Sequence, residues 1–279
     1  MNLRVGFIGI GTMGRPMATN VARAGFDLTV FDVREQPLSA LSALGATVAR
    51  SPKEVGERSD IVEIAVVDDA QVDAVLYGPQ GLFEGARPGA VVAIHSTVDP
   101  ETVKKAAETA RSKGIKVLDA PVSGGQKGAE DRELCYMVGG EQEALEFCRP
   151  VFSTSGAHIF HMGDLGSGSI AKIILQVVVC INMLAAHEAE VLCEATGIDL
   201  RRFFQVLHVS SGESFVCDNW IDRFKRTHES MPRRQQRAEV FKKSLTPALE
   251  LAERVGVRLP GANLAHKQLS EILGVNENI

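Results

Sequence analysis

The sequence predicts an α/β fold, with an N-terminal doubly wound domain, a long interdomain helix and an all-α C-terminal domain. Three observations carry this. A strand pattern at Arg4–Ile8 passes through Gly9-Ile10-Gly11-Thr12-Met13-Gly14 into a helical pattern. Short apolar strands then alternate with capped helices to about residue 164, the spacing of a parallel sheet covered on both faces. Beyond that point every segment keeps a helical period.

The first strand and its glycines have the order of a dinucleotide-binding fingerprint. Gly9 lets the chain turn, Gly11 leaves room for a pyrophosphate against the backbone, and Gly14 lets the helix pack on the sheet. The free N–H groups at the start of that helix, expected over Met13–Ala24, face the negative charge. Residues 1–164 therefore read as an NAD(P)-binding Rossmann domain and 165–279 as a helical domain, to which the family resemblance given below assigns substrate and oligomer contacts. The second strand, Asp27–Phe31, ends at Asp32, where a ribose-binding carboxylate belongs. Asp32 favours NAD, whereas Arg34 could hold the extra phosphate of NADP.

Ser51-Pro52-Lys53-Glu54 opens a helix as a capping box. Asp60–Val67 is the next strand, and Asp68-Asp69 read as a helix cap rather than a metal pair. Ala90–Ile94 and Lys116–Ala120 are strands, with a helix from Asp99-Pro100-Glu101 to about Lys113 between them. Ligands of such sheets lie beyond the carboxyl ends of the strands. That singles out Gly9–Gly14, His95-Ser96-Thr97 and Pro121-Val122-Ser123-Gly124-Gly125. In the last, a hydroxyl and unshielded amides suit a small anion, and an ordinary glycine loop fits equally. Leu134–Val138 is a strand, Glu141–Val151 a helix and His158–His161 an edge strand.

Ser167–Thr196 reads as one helix, ended by Gly197. It should be roughly 45 Å long and, being apolar on most faces, buried on nearly all sides. Lys172 and Gln176 interrupt it on one face. A lysine there needs a partner or a use, unless it snorkels to solvent. Helices are expected at Leu200–Val209, Phe215–Phe224, Ala238–Val255 and Ala262–Leu273. The basic run Arg226–Arg237 lacks aromatics and reads as a solvated linker or helix face, and His187 with Glu190 reads as structural. No metal site is expected.

Composition narrows the class. The 279 residues carry a net charge of −5, which gives no reason to expect a nucleic-acid partner. Five cysteines without a C-x-x-C pair suit a reducing, cytoplasmic setting. A strand pattern begins almost at once, so no leader is expected. The apolar run Ile173–Ala186 is short and broken by Gln176 and Asn182, so no membrane span is expected.

Three segments in order, FIGIGTMGRPM, DAPVSGG followed by GAEDRELCYMVGG, and GSGSIAK, resemble the 3-hydroxyisobutyrate dehydrogenase family of β-hydroxyacid dehydrogenases. The resemblance covers nearly the whole chain. It implies hydride transfer between NAD(P) and a short β-hydroxyacid or acid semialdehyde, in a homodimer or homotetramer. It makes Lys172 the catalytic lysine and Ser123, Gly124 and Gly125 the seat of the substrate carboxylate. Gly9, Ile10, Gly11, Thr12, Met13, Gly14 and Asp32 hold the cofactor, with Thr97 or its neighbour Ser96 beside the nicotinamide. Lys243, in FKKSL, matches a lysine that reaches back to the cofactor cleft. Gln176 stands where the family usually has asparagine at the substrate, and Ser244 where it has aspartate. The alternatives are an imine reductase, a class that generally lacks this lysine, and a non-catalytic dinucleotide-binding protein.

Overall fold

The structure, a computed structural model, describes residues 3–225 and 229–275. It divides into two compact units, Met1–Lys172 and Ile173–Ile279.

The first unit holds nine strands: β1 Arg4–Ile8, β2 Asp27–Phe31, β3 Thr47–Val48, β4 Ile61–Ile64, β5 Val91–Ile94, β6 Lys116–Asp119, β7 Val122–Ser123, β8 Leu134–Gly139 and β9 Gly156–Gly163. Their order is β3-β2-β1-β4-β5-β6-β8-β7, with β9 also on β8. From β1 to β6 all pairs are parallel. The expected parallel pairing does not extend to the rest of the sheet. β8 runs antiparallel to β6 and β7, and β9 parallel to β8. Between β6 and β8 lie only β7 and the short helix Gly125–Asp131, which turn the chain back instead of carrying it across the sheet. The full helix Gln142–Phe152 supplies a true crossover to β9.

Side chains alternate between two cores. Val5 and Phe7 point to the face of Met17, Val21, Tyr136 and Phe152. Ile8 points to the face of Val55, Val62, Ile64 and Leu76. The helices begin where the capping residues stand: Ser51 accepts from the Glu54 amide, Asp68 from that of Gln71 and Asp99 from that of Glu101.

In the second unit the long helix packs Ile173, Cys180, Met183, Leu184 and Ala186 against Phe204, Trp220, Leu245 and Leu269. The expected burial on nearly all sides is not found. Ile174 and Val178 are 56% and 51% exposed, and Val191 and Leu192 49% and 65%. Apolarity says that a face shuns water, and not whether its cover comes from the same chain. The run's shortness as an argument against a membrane span is also corrected, because the whole 30-residue helix is long and apolar enough to cross one by length and composition.

The segment expected as one helix at Phe215–Phe224 breaks after Asp218 and continues as a π-helical turn, Trp220–Lys225. That turn puts Trp220 wholly inside, its indole donating to Glu190 at 3.1 Å, with Lys225 paired to the same carboxylate. In the basic run, residues 226–228 lie outside the described residues. From Met231 the run is helical, and Arg237 pairs with Glu229.

Candidate functional site

Three segments at the carboxyl ends of β1, β5 and β6, and the first turns of the long helix, make up the candidate site within the first unit. The glycines after β1 divide their work. Gly9 has φ +93°, and its amide donates to the Phe31 carbonyl at 2.9 Å. A Cβ on Gly14 would overlap the Gly9 carbonyl oxygen, so the helix starts hard against the turn. A Cβ on Gly11 would meet nothing nearer than Arg34 Nη2 at 3.8 Å, leaving the backbone open to an outside group. Helix Gly14–Arg23 has no side-chain cap, so its leading amides suit a phosphate. Met13 is its N-cap residue, Ile10 is buried and Thr12 is exposed beside it.

Asp32 is held from two sides. It accepts from the Ile10 amide at 2.7 Å and from the Arg34 amide and Nε at 2.8 and 3.1 Å. Burial works to raise its carboxyl, but the bonds from Arg34 and from the two amides outweigh burial and keep it below the usual carboxylate range. The uncapped helix, the open Gly11 and this anchored acid fit a dinucleotide's pyrophosphate and ribose.

Ser96 and Thr97 part company. The Ser96 hydroxyl donates to the Val66 carbonyl at 2.8 Å and accepts from the Val66 amide at 3.0 Å, so it is spent on joining two loops. Thr97 is half-buried. Ser123 closes β7 and pairs with Cys135 of β8, which turns both side chains to one face. Gly124 and Gly125 come next, with φ of 129° and 65°, and lead helix Gly125–Asp131. At φ of 129° and 65° a side chain would be strained, so both positions call for glycine.

Lys172 lies in the second turn of the long helix, Ser167–Thr196. It is half-buried and, among the described residues, has no hydrogen bond or ion pair. Burial pushes its ammonium from an ordinary 10.5 down to about 8, against a small pull from Cys135. The Cys135 thiol is itself pushed up by burial, with Lys172 pulling it back. Ser123, Cys135 and Lys172 are thus neighbours. Gln176 lies one helical turn beyond Lys172 and is half-buried. Lys243 stands exposed on helix Met231–Arg254 of the second unit, and Ser244 bonds back to the Phe241 carbonyl at 2.9 Å.

Two residue ranges match family models that bear on this arrangement. Residues 4–163 match the NAD binding domain of 6-phosphogluconate dehydrogenase, and 166–277 the NAD-binding model of NADP-dependent 3-hydroxyisobutyrate dehydrogenase. An NAD-dependent L-serine dehydrogenase of Pseudomonas aeruginosa is 37% identical over 77% of this chain and 72% of its own. The 2-hydroxy-3-oxopropionate reductase of Escherichia coli is 34% identical over 92% and 87%. The chain belongs to the 3-hydroxyisobutyrate dehydrogenase family. A solved Mycobacterium tuberculosis 3-hydroxyisobutyrate dehydrogenase with L-serine superposes with a TM-score of 0.84, at 28% identity and covering 98% and 94% of the two chains. The protein is an NAD(P)-dependent oxidoreductase of the hydroxyacid dehydrogenase type.

Three residues beside this site were not singled out in the sequence. Asp119, at the end of β6, bonds the start of the long helix. Glu63 is an acid inside a strand, and Cys135 a single thiol on β8. Each sits in an apolar strand run where one polar residue stands out. In the second unit His208, Glu213 and Asp218 bring three ligand atoms within 4.8 Å of one another, all exposed, and His208 pairs with Asp218 at 3.0 Å.

Proposed function

We propose that this enzyme oxidises a short β-hydroxyacid, or reduces the matching semialdehyde, with Lys172 as acid and base. The observation that carries the reading is the unpartnered lysine whose ammonium is driven down to about 8. Such an amine exchanges a proton near neutral pH. Ser123 and the amides of Gly124 and Gly125 hold the far carboxylate, which fixes the distance from that anchor to the reacting carbon. Lys172 takes the hydroxyl proton during oxidation and returns it during reduction. Thr97, rather than the tied Ser96, faces the nicotinamide. Gly9–Gly14 and Asp32 hold the nucleotide, which supplies the hydride acceptor when bound. Asp32 favours NAD over NADP, and Gln176 and Lys243 complete the substrate and cofactor contacts. L-serine, named for one relative, carries the required carboxylate and β-hydroxyl, and 2-hydroxy-3-oxopropionate, named for another, the carboxylate and the β-aldehyde.

The test is a panel of 3-hydroxyacids, including 3-hydroxyisobutyrate and L-serine, followed at the nicotinamide absorbance with each nucleotide. Turnover by the parent and a loss of 10²–10⁴-fold, in order of magnitude, in Lys172→Ala support the reading. Unchanged turnover in that variant overturns the lysine's role.

A homo-oligomer is part of this proposal. Ile174, Val178, Ile181 and Ala185 follow the four–three spacing of a coiled-coil seam, Leu192 lies seven residues further on, and Ile174, Val178 and Leu192 are about half exposed or more. A second copy of the helix would cover them. Five unpaired cysteines accord with a cytoplasmic setting.

A further inference from the structure

The mechanism above makes no use of an acid and an imidazole buried in the middle of the sheet. Glu63 lies on β4 between Phe7 of β1 and Ala93 of β5. Strand alternation turns it to the side of Ile61, where Phe7, Tyr136 and Phe152 form the core. His95 leaves β5 on that side, its ring 5.6 Å from those of Tyr136 and Phe152 and 6.5 Å from Phe7. The two side chains are 1% and 2% exposed.

Each ring nitrogen has one partner. Nδ1 lies 2.8 Å from the Ala120 carbonyl oxygen, and Nε2 3.2 Å from Glu63 Oε1. A carbonyl can only accept, so Nδ1 carries a hydrogen. The contact between Nε2 and Oε1 then shares one further proton, whichever atom bears it. The other oxygen of Glu63, Oε2, is buried without a partner among the described residues. Such a pair is worth less to stability than two apolar side chains of the same size. What it supplies is geometry. His95 immediately precedes Ser96 and Thr97, and Ala120 immediately precedes the Pro121–Gly125 loop. The last ladder bond between these strands is Ala120 N to Ile94 O at 2.8 Å, and the imidazole extends the link by one residue.

We propose that the His95 imidazole, bonded to the Ala120 carbonyl, is a strap that sets the spacing between the Thr97 turn and the Ser123–Gly125 loop. It is a positioning device for the reaction proposed above, and it rests on that reading. With the strap intact, the carboxylate seat and the nicotinamide-side threonine are held at one separation.

The test compares Glu63→Leu with the double variant Glu63→Leu/His95→Leu. Both remove the buried acid, so neither leaves an uncompensated charge. They differ in the imidazole and its bond to Ala120. Thermal melting establishes that both are folded. Glu63→Leu should keep kcat/KM for 3-hydroxyisobutyrate or L-serine within about twofold of the parent. The double variant should lose about tenfold or more in kcat/KM for the acid, with the KM of the nucleotide unchanged. Amide hydrogen exchange should quicken at Ser96–Thr97 and Val122–Gly125 in the double variant alone. Equal kinetics and equal exchange in the two variants overturn the strap. If the parent oxidises none of the acids, the dehydrogenase reading fails, and the exchange comparison still decides the strap by itself.

Discussion

The backbone amide of Ser169, three residues ahead of Lys172, donates to the Asp119 carboxylate at 2.6 Å, and the Gly166 amide donates to its other oxygen at 2.8 Å. Asp119 is wholly buried at the end of β6, two residues before the carboxylate loop begins to turn. One side chain therefore ties the helix that bears the lysine to the strand that leads into Ser123. Asp119→Ala would leave two buried amides without acceptors. It should cost about 3 kcal/mol in denaturant unfolding and lower turnover with it. A variant as stable and as active as the parent would show that water or a neighbour caps the helix instead.

Burial of Lys172 makes a prediction in rate and another in stability. Oxidation needs the neutral amine, so kcat/KM for the hydroxyacid should rise through about pH 8 and level off, while reduction falls over the same range. Cys135→Asp places a negative charge beside the amine and should move that midpoint up by about one pH unit. For stability, the folded value lies below that of the unfolded chain. The unfolded state thus binds more protons between about pH 8 and 10.5, and stability is gained as pH rises through that range. Lys172→Met should accordingly stabilise the protein at neutral pH, by on the order of 2 kcal/mol after allowance for partial exposure. The gain should shrink on the way to pH 10.5. A gain that is flat with pH would mean the lysine is charged in the folded protein throughout.

These groups differ in how far the sequence announces them. The turn at Gly9–Gly14 and the end of β2 before Asp32 are legible because a strand, a glycine turn and a helix each leave their own pattern. The limits of β1, β2 and the long helix come from period and punctuation in the same way. The antiparallel β8 is not legible, because strand direction depends on what the connection can span, and the sequence marks only the Pro121–Gly125 loop between β6 and β8. Ser96 and Thr97 look interchangeable in sequence. Only the contact with Val66 shows that the Ser96 hydroxyl is occupied. Glu63 and His95 lie 32 residues apart, and their pairing depends on β4 and β5 being in register. The exposed stripe on the long helix looks like core because hydrophobicity reports the need for cover and not its source.

On the proposed function, Asp32 and Arg34 together set the cofactor preference. The carboxylate is 6% exposed and bonded, whereas the guanidinium is 62% exposed and can swing out. Discrimination against a 2′-phosphate should therefore be modest in the parent. Arg34→Ala should sharpen the preference for NAD, by about tenfold in the ratio of the two kcat/KM values. Asp32→Asn should erode it by a similar factor. If Arg34→Ala leaves the ratio where it was, the arginine serves only to steady Asp32.

Gly11 and Gly14 separate nucleotide binding from folding. An alanine methyl at Gly14 would run into the Gly9 carbonyl oxygen and stand 3.0 Å from Phe7 Cε1, both in the rigid part of the turn. Gly14→Ala should displace the helix from the sheet and cost several kcal/mol, on the order of 3 or more, read as a fall in melting temperature. At Gly11 the same methyl has open space around it, its nearest contact being the flexible end of Arg34. Gly11→Ala should melt within a degree or two of the parent, yet bind NAD about tenfold more weakly or worse, because the methyl occupies the approach of the pyrophosphate. Calorimetric titration with NAD alone measures this without any assumption about the second substrate. Normal NAD affinity in Gly11→Ala would place the pyrophosphate elsewhere and remove the fingerprint from the site.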